Sequence, residues 1–244
     1  MKFDILTLFP EMFEPIKQSV IGKAVEKELI EINLINIRDF SKDKHKKVDD
    51  TVYGGGAGML IRPDVVYDAF QSIEKENDAK VIYLSPKGKL LSQEKVEELS
   101  KEKHLILLCG HYEGIDQRVI DEINPEEISI GDYVVTGGEM PAMILADAIS
   151  RMLPGVLSQP EGFMGESHYS SLLEYPQYTK PPVWHDVEVP AVLSSGHHAN
   201  IKKWQRERAI ERTLERRPEL LNNAELTKKE LAFLDELRKN KASE

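Results

Sequence analysis

Three glycine-rich segments are the parts of this sequence best suited to hold a small ligand. They are LSPKG at residues 84–88, CGHYEG at 109–114 and IGDYVVTGGEMP at 130–141. Glycine lets the backbone approach a ligand closely and present its amides and carbonyls to it. Each segment by itself is also compatible with a plain tight turn, but the three together predict a cradle for one flat, polar, nucleoside-like molecule.

Other kinds of catalytic site are disfavoured by the spacing of the remaining candidates. The glycines of GGGAGM at 54–59 do not form the GxGxxG fingerprint of dinucleotide-binding proteins, and no Gly-Lys pair belongs to a phosphate-binding P-loop. The chain also has no HExxH zinc motif and no nucleophile elbow around a serine. Metal-dependent hydrolysis and serine hydrolysis are therefore poorly supported.

Composition predicts a folded protein of the cytosol. The 244 residues carry a net charge of −10 and are 41% hydrophobic, which suits one large domain or two small ones and argues against disorder. The single cysteine, Cys109, permits neither an intrachain disulfide nor a multi-cysteine zinc site. Asp4 interrupts the apolar run at the N-terminus, and no run of about 18 apolar residues follows anywhere. We expect a soluble, cytoplasmic protein without a membrane span.

Strands and helices alternate over the part of the chain that must position the glycine-rich segments. Short apolar runs predict strands at residues 2–8, 31–37, 81–85 and 104–110. Helical patterns occupy the residues between and after them, at 11–18, 20–29, 63–76, 92–102 and 140–153. This alternation predicts an α/β fold with a parallel sheet, in which ligands bind beyond the carboxyl ends of the strands.

The composition changes after this α/β region. Residues 154–182 are rich in proline and glycine and show no sustained period, whereas the sequence is helical from residue 190 onward. We therefore predict an N-terminal α/β domain at 1–157, a linker or lid at 158–184 and a helical C-terminal domain at 185–244. Two basic segments, 38–47 and 196–218, interrupt the acidic chain; they suit either a polyanion-binding face or ordinary solvated helix surface.

The sequence resembles a known family, the bacterial tRNA (guanine-N1-)-methyltransferases, which modify the guanine just 3′ of the anticodon. The resemblance covers nearly the whole chain except about the last twenty residues. It rests on motifs that occur in the family's order: LFPEMF, VDDTVYGGGAGM, LSPKG, CGHYEGIDQRV, SIGDYVVTGGEMPAM, RMLPGVL, LLEYPQYTKP and LSSGHHANIKKWQRERAIERTLERRPELL.

The resemblance implies a SPOUT-type α/β fold whose C-terminal part is threaded into a deep trefoil knot, followed by a small all-helical domain. It implies a homodimer that binds S-adenosylmethionine in the knot, with active sites between the subunits. The residues that match the family's donor-binding positions are Tyr83, Leu84, Ser85, Pro86, Gly110, Glu113, Ile130, Gly131, Asp132, Tyr133, Val134, Val135, Gly137, Gly138 and Pro141.

The resemblance also implies two catalytic residues. Guanine N1 must lose its proton before it can attack a methyl group, so a base at N1 and a cation at O6 are required. Glu166 occupies the position of the family's aspartate base, and Arg151 matches its arginine. Glutamate is one methylene longer than the usual aspartate, so its carboxylate must be repositioned. Without the resemblance, Arg151 is equally a helix C-terminal charge and Glu166 an ordinary loop acid.

The basic C-terminal segment is the expected tRNA-binding surface. Phosphate-neutralising candidates there are Lys202, Lys203, Arg206, Arg208, Arg212, Arg216 and Arg217. Trp204 is suited to stacking on a base or, more simply, to packing. The resemblance further implies Mg²⁺, with Glu113 as a candidate to place it, although the sequence shows no metal-ligand motif. Two alternatives remain: a SPOUT enzyme acting on another RNA, and a non-catalytic RNA-binding relative.

Overall fold

A computed structural model describes residues 1–75, 78–158 and 166–241 of the chain. The chain divides into two units, Met1–Pro160 and Glu161–Glu244. Most of the predicted linker, residues 158–184, falls in the second of these units. Its residues 159–165 lie outside the described part of the chain, as does the end of the predicted helix at 63–76.

A parallel sheet forms the centre of the first unit. The strands described there are β1 (Lys2–Thr7), β2 (Glu31–Asn36), β3 (Asp49–Thr51), β4 (Met59–Ile61), β5 (Lys80–Leu90), β6 (His104–Cys109) and β7 (Glu126–Ser129). Five of them pair side by side in the order β2-β1-β6-β5-β7, and every pair is parallel. The predicted α/β fold with a parallel sheet is therefore confirmed.

Helices cover both faces of this sheet. They are α1 (Ser19–Glu26), α2 (Pro63–Gln71), α3 (Gln93–Leu99), α4 (Gln117–Ile123) and α5 (Glu139–Ser150), with 3₁₀ helices at Pro10–Lys17 and Ile37–Phe40. Alternate residues of β6 enter opposite clusters: Leu105 and Leu107 pack with α1, α3 and α5, whereas Ile106 and Leu108 pack with α2 and α4. Burial on both faces explains why β6, with the sequence HLILLC, is almost continuously apolar.

The strand predicted to end at residue 85 instead continues to Leu90. Residues 85–88 leave the ladder as a bulge, because Leu84 and Lys89 both pair with Ile128 of β7. Gly88 is required there: a Cβ atom at this position would lie 2.4 Å from the carbonyl carbon of Glu127. The predicted end of this strand at residue 85 was therefore wrong, because only tertiary pairing with β7 reveals that the strand resumes.

The second unit contains a long helix, a second helix and a small hairpin. Its elements are β8 (Val183–Trp184), β9 (Val187–Glu188), α6 (His198–Arg216) and α7 (Lys228–Lys241), with 3₁₀ helices at Ala191–Ser194 and Pro218–Asn222. Leu172 is buried in an apolar cluster with residues of α6 and α7. The Leu173 amide donates to the buried Thr213 hydroxyl at 2.8 Å, so residues 172 and 173 pack onto α6.

No helix within the described ranges is long and apolar enough to cross a membrane.

Candidate functional site

A cavity of about 250 Å³ opens where the three glycine-rich segments meet in the first unit. Two of these segments follow the carboxyl ends of β6 and β7, and the third is the bulge of β5. All of the residues predicted to bind the methyl donor line this cavity except Gly131 and Asp132. The convergence of the three segments was expected, because ligands in parallel α/β sheets bind at this edge.

Direct backbone contact joins two of the segments. The Gly138 amide donates to the Gly110 carbonyl at 2.8 Å, and His111 forms an antiparallel bridge with Gly137. A Cβ atom on Gly138 would lie 2.7 Å from the Cα atom of Cys109, which is closer than real Cβ atoms approach backbone. Glycine at 138 is therefore needed for the close approach that forms one wall of the cavity.

Backbone hydrogen bonds connect the hairpin of β3 and β4 to residues 113 and 114 of the site. The Glu113 amide donates to the Met59 carbonyl at 3.0 Å, and the Ile61 amide donates to Gly114 at 3.0 Å. Gly58 has a φ of +94°, and a Cβ atom there would collide with the Glu113 side chain. The glycines of GGGAGM therefore bring the hairpin loop beside Glu113, where Tyr53 is 95% exposed.

Burial keeps two ionisable groups at the site, Tyr83 and Cys109, in their neutral forms. Desolvation, and secondly the charge of Glu127, raise the pKa of Tyr83 to about 12, although a hydrogen bond from the Ile115 backbone opposes the shift. Burial and the nearby Glu139 carboxylate also raise the pKa of the Cys109 thiol well above its usual value. At neutral pH, Tyr83 is therefore a phenol, and Cys109 is not a thiolate nucleophile.

Several cavity residues escaped the sequence analysis. They lie outside the three glycine-rich segments and are Ile115, Gln117, Ile120, Glu127, Ile128 and Ser129. Gln117 and Ile120 belong to α4, a helix too short to show a clear period. Glu127 reaches the cavity because it is the register partner of Tyr83 across β5 and β7. No local sequence signal gives that pairing, so these residues are visible only in the folded structure.

The two predicted catalytic residues lie on different units. Arg151 follows α5, donates its amide to the Asp147 carbonyl at 3.1 Å, and lines another cavity of the first unit with Gln18 and Val20. Glu166 belongs to the second unit, where it lines a cavity together with Tyr175, Lys202 and Arg206. Arg151 is thus outside the lining of the glycine-rich cavity.

The predicted RNA-binding residues fall into two groups on α6. Lys202 and Lys203 are exposed, and the nearest carboxylate to Lys203 is Glu207 at 3.7 Å. Of the five candidate arginines, Arg206, Arg208 and Arg212 are half-buried and engaged within their own unit, whereas Arg216 and Arg217 are exposed. Arg206 donates to Glu230 at 2.7 Å and to the Glu225 carbonyl at 2.7 Å.

The other two arginines are held in similar ways. Arg208 pairs with Glu211 at 2.5 Å, and Arg212 donates to the Glu174 carbonyl at 3.3 Å. Trp204 is half-buried, and its ring centroid lies 6.3 Å from that of Tyr178, which favours packing over an open stacking surface. The two lysines are therefore better placed than the three arginines for phosphate contacts.

Across residues 1–75, 78–158 and 166–241, no group of three or more His, Cys, Asp or Glu side chains is arranged to hold a metal ion. Glu113, the predicted metal-placing residue, is exposed at the cavity. Mg²⁺ is usually held by only one or two carboxylates together with water and substrate oxygens, a role that a single glutamate such as Glu113 can fill.

Comparison with known proteins gives consistent results. A model of the family described as tRNA (Guanine-1)-methyltransferase TrmD matches residues 1–223. A protein named tRNA (guanine-N(1)-)-methyltransferase from Ruminiclostridium cellulolyticum is 58% identical over 225 residues, covering 91% of this chain and 97% of the relative. Proteins of the same name from Alkaliphilus oremlandii and Alkaliphilus metalliredigens are each 54% identical, covering 97% and 99% of this chain and 98% and 100% of the relatives.

Proposed function

The chain belongs to the tRNA (guanine-1)-methyltransferase family, and from this premise we propose how it carries out the reaction. The protein is a tRNA (guanine-N1)-methyltransferase. We propose that its methyl donor is S-adenosylmethionine and that its target is the guanine just 3′ of the anticodon. One observation carries the proposal: residues expected to bind the donor, from three distant segments of the chain, line one cavity. The family match favours neither alternative, a SPOUT enzyme acting on another RNA or a non-catalytic RNA-binding relative.

The cavity suits a nucleoside held mainly by backbone. Gly110, Gly137 and Gly138 lie in its wall, so amides and carbonyls approach a ligand without intervening side chains. Leu84, Ile130 and Pro141 supply apolar surface for a purine ring. When bound, S-adenosylmethionine supplies an electrophilic methyl group on its sulfonium.

We assign the proton transfer to Glu166 and the stabilisation of O6 to Arg151. Glu166 would take the proton from guanine N1, so that the N1 electron pair could accept the donor's methyl group with S-adenosylhomocysteine as the leaving group. An ordinary glutamate, with a pKa of about 4.3, is a weak base for this purpose. Charge developing on O6 must therefore be stabilised strongly, which is the task of the Arg151 guanidinium.

A second copy of the chain is the expected partner of the first unit. Apolar side chains are exposed on neighbouring parts of it: Val134 is 81% exposed, and Met140 and Ile144 stand one turn apart on the outer face of α5. Covering these side chains would stabilise a homodimer. We propose such a dimer, with Arg151 of one subunit and Glu166 of the other serving the same active site.

We also propose that the segments up to residue 141 are threaded as a trefoil knot, as in the family. Crossing backbones must touch, and at Gly88 and Gly138 a Cβ atom would meet backbone at 2.4 Å and 2.7 Å respectively. Glu113 is the residue that would help to place Mg²⁺ at this cavity, together with water and substrate oxygens. We expect the tRNA to bind through α6, and the enzyme to act in the cytoplasm, where tRNA is modified.

Incubation with labelled S-adenosylmethionine and tRNA transcripts tests the proposal. A transcript with G after the anticodon should accept one methyl group per molecule, and digestion should locate it at N1 of that base. A transcript with A or U at the same position serves as the matched control and should accept none. Equal labelling of both transcripts, or the absence of donor binding, would contradict the proposal.

A further inference from the structure

Glu127 presents an unsatisfied carboxylate to the cavity. It lies in β7 next to Tyr83 of β5 and is part of the cavity lining. Its Oε2 atom is buried, and no hydrogen-bond partner for it occurs among residues 1–75, 78–158 and 166–241. A buried carboxylate oxygen without a partner is strongly unfavourable, so such an atom in a cavity wall indicates a group that a ligand satisfies.

The preceding residue shows that the fold can satisfy a glutamate at this strand. Glu126, whose side chain points to the opposite face, pairs with Lys80 at 3.0 Å and Lys95 at 2.8 Å. Glu127 is given no such cation within the described part of the chain. Glu126 and Glu127 therefore differ because only Glu127 lines the cavity, where the described residues supply no cation to pair with it.

The surroundings of Glu127 leave little within the chain to compensate its charge. Ile115 and Ile120 contribute apolar surface to the cavity, and the Gln117 amide nitrogen already donates to Asp121 at 2.8 Å. The Tyr83 phenol is close enough for the Glu127 charge to help raise its pKa. Among the other ionisable residues of the lining, Lys87, Tyr112, Glu113 and Tyr133 are exposed, and His111 is half-buried with an unpartnered Nδ1 atom of its own.

We propose that the Glu127 carboxylate accepts a hydrogen bond from the bound methyl donor, from its ammonium group or from a ribose hydroxyl. Both are N–H or O–H donors that S-adenosylmethionine carries, and its positive charges are complementary to a buried carboxylate. This inference rests on the proposed function and deepens it, because it adds a specificity-determining residue to the donor site.

Calorimetry with Glu127→Gln tests the inference. The substitution keeps the shape of the side chain and removes its charge, so we expect S-adenosylhomocysteine to bind about 10- to 100-fold more weakly than to the wild-type enzyme. In kinetics, the KM for S-adenosylmethionine should rise while kcat at saturating donor changes little. Glu127→Asp, which keeps the charge but shortens the side chain, should fall between the two.

Thermal unfolding separates a binding role from a structural one. The ligand-free Glu127→Gln protein should be as stable as the wild type or more so, because the substitution removes a half-buried carboxylate whose Oε2 atom has no partner within the described residues. The matched control, Glu126→Gln, breaks two ion pairs on the opposite face and should bind S-adenosylhomocysteine and S-adenosylmethionine normally. A lower Tm of ligand-free Glu127→Gln together with unchanged binding would overturn the inference.

A truncated ligand identifies the group that Glu127 meets. 5′-Methylthioadenosine keeps the ribose but lacks the ammonium. If Glu127→Gln weakens only S-adenosylhomocysteine, the ammonium is the donor, and if it weakens both ligands, a ribose hydroxyl is. Unchanged binding of both ligands to Glu127→Gln and Glu127→Asp would refute the inference while leaving the proposed function intact. A wild-type enzyme that binds neither ligand would refute the proposed function itself.

Discussion

The residues Arg151 and Glu166 are expected to act on the guanine rather than on the methyl donor. Arg151→Ala removes the cation at O6, and Glu166→Ala removes the base at N1. Each should reduce the single-turnover rate of methyl transfer by about 10²- to 10⁴-fold, because both groups act in the transition state. Rapid-quench kinetics with saturating tRNA and donor measures this rate.

Calorimetry with S-adenosylhomocysteine supplies the control for these two variants. Neither Arg151 nor Glu166 is among the residues that line the glycine-rich cavity. Donor affinity should therefore stay within about threefold of wild type. Glu166→Asp restores the shorter acid usual in the family and should retain much of the rate. Full activity of both alanine variants would show that the catalytic assignment is wrong.

Among the elements, the turn that precedes α5 is sensitive to a single methyl group. Gly138→Ala would place a Cβ atom 2.7 Å from the Cα atom of Cys109 and 2.9 Å from the Gly110 amide nitrogen. One backbone segment must move, so we expect donor affinity to fall by about tenfold or more. Gly56→Ala is the matched control, since its Cβ atom would only touch Val52 at 3.8 Å. Similar donor affinities for the two variants would contradict this account of the cavity wall.

Helix α6 is expected to contribute both to tRNA binding and to the stability of its unit, and separate variants should distinguish these two roles. Lys202→Ala with Lys203→Ala should weaken tRNA binding and reduce the slope of log affinity against log salt by about 1 to 2, while Tm stays unchanged. Arg206→Ala should instead lower stability by about 1 kcal/mol or more, because it removes one of the two donors to the Glu230 carboxylate and the Arg206 donor to the Glu225 carbonyl. Filter binding at several salt concentrations and thermal unfolding measure the two effects. A stable Arg206→Ala protein with a reduced salt slope would reverse the assignment.

For the whole molecule, a shared active site makes a distinctive prediction about mixed dimers. Arg151→Ala and Glu166→Ala proteins should each be nearly inactive, but mixing them under conditions of subunit exchange creates dimers with one intact site. Statistical exchange should restore about a quarter of wild-type activity. Ile144→Asp, which places a charge on the exposed apolar face of α5, should prevent this recovery and yield monomers in sedimentation experiments. If mixing restores nothing although exchange is demonstrated, both residues serve the site of their own subunit.

The sequence by itself determined the α/β class, the parallel sheet and the segments that form the cavity. Burial on both faces requires continuously apolar strands, and close backbone approach requires glycine. Both requirements can be recognised in short stretches of sequence such as HLILLC and VVTGGE. The family motifs added the identity of the enzyme. Short elements such as α4 and β7 escaped sequence reasoning, since four to seven residues hold too little periodicity.

Only the tertiary structure decided which side chains meet in the cavity and which cations are already engaged. Glu127 reaches Tyr83 through the register of β7 on β5, and Arg206 is held by a glutamate 24 residues away on α7. Pairings of this kind depend on distances between segments that are remote in the chain. A residue type states what a side chain can do, but the fold decides whether its charge is satisfied within the protein or left for a ligand.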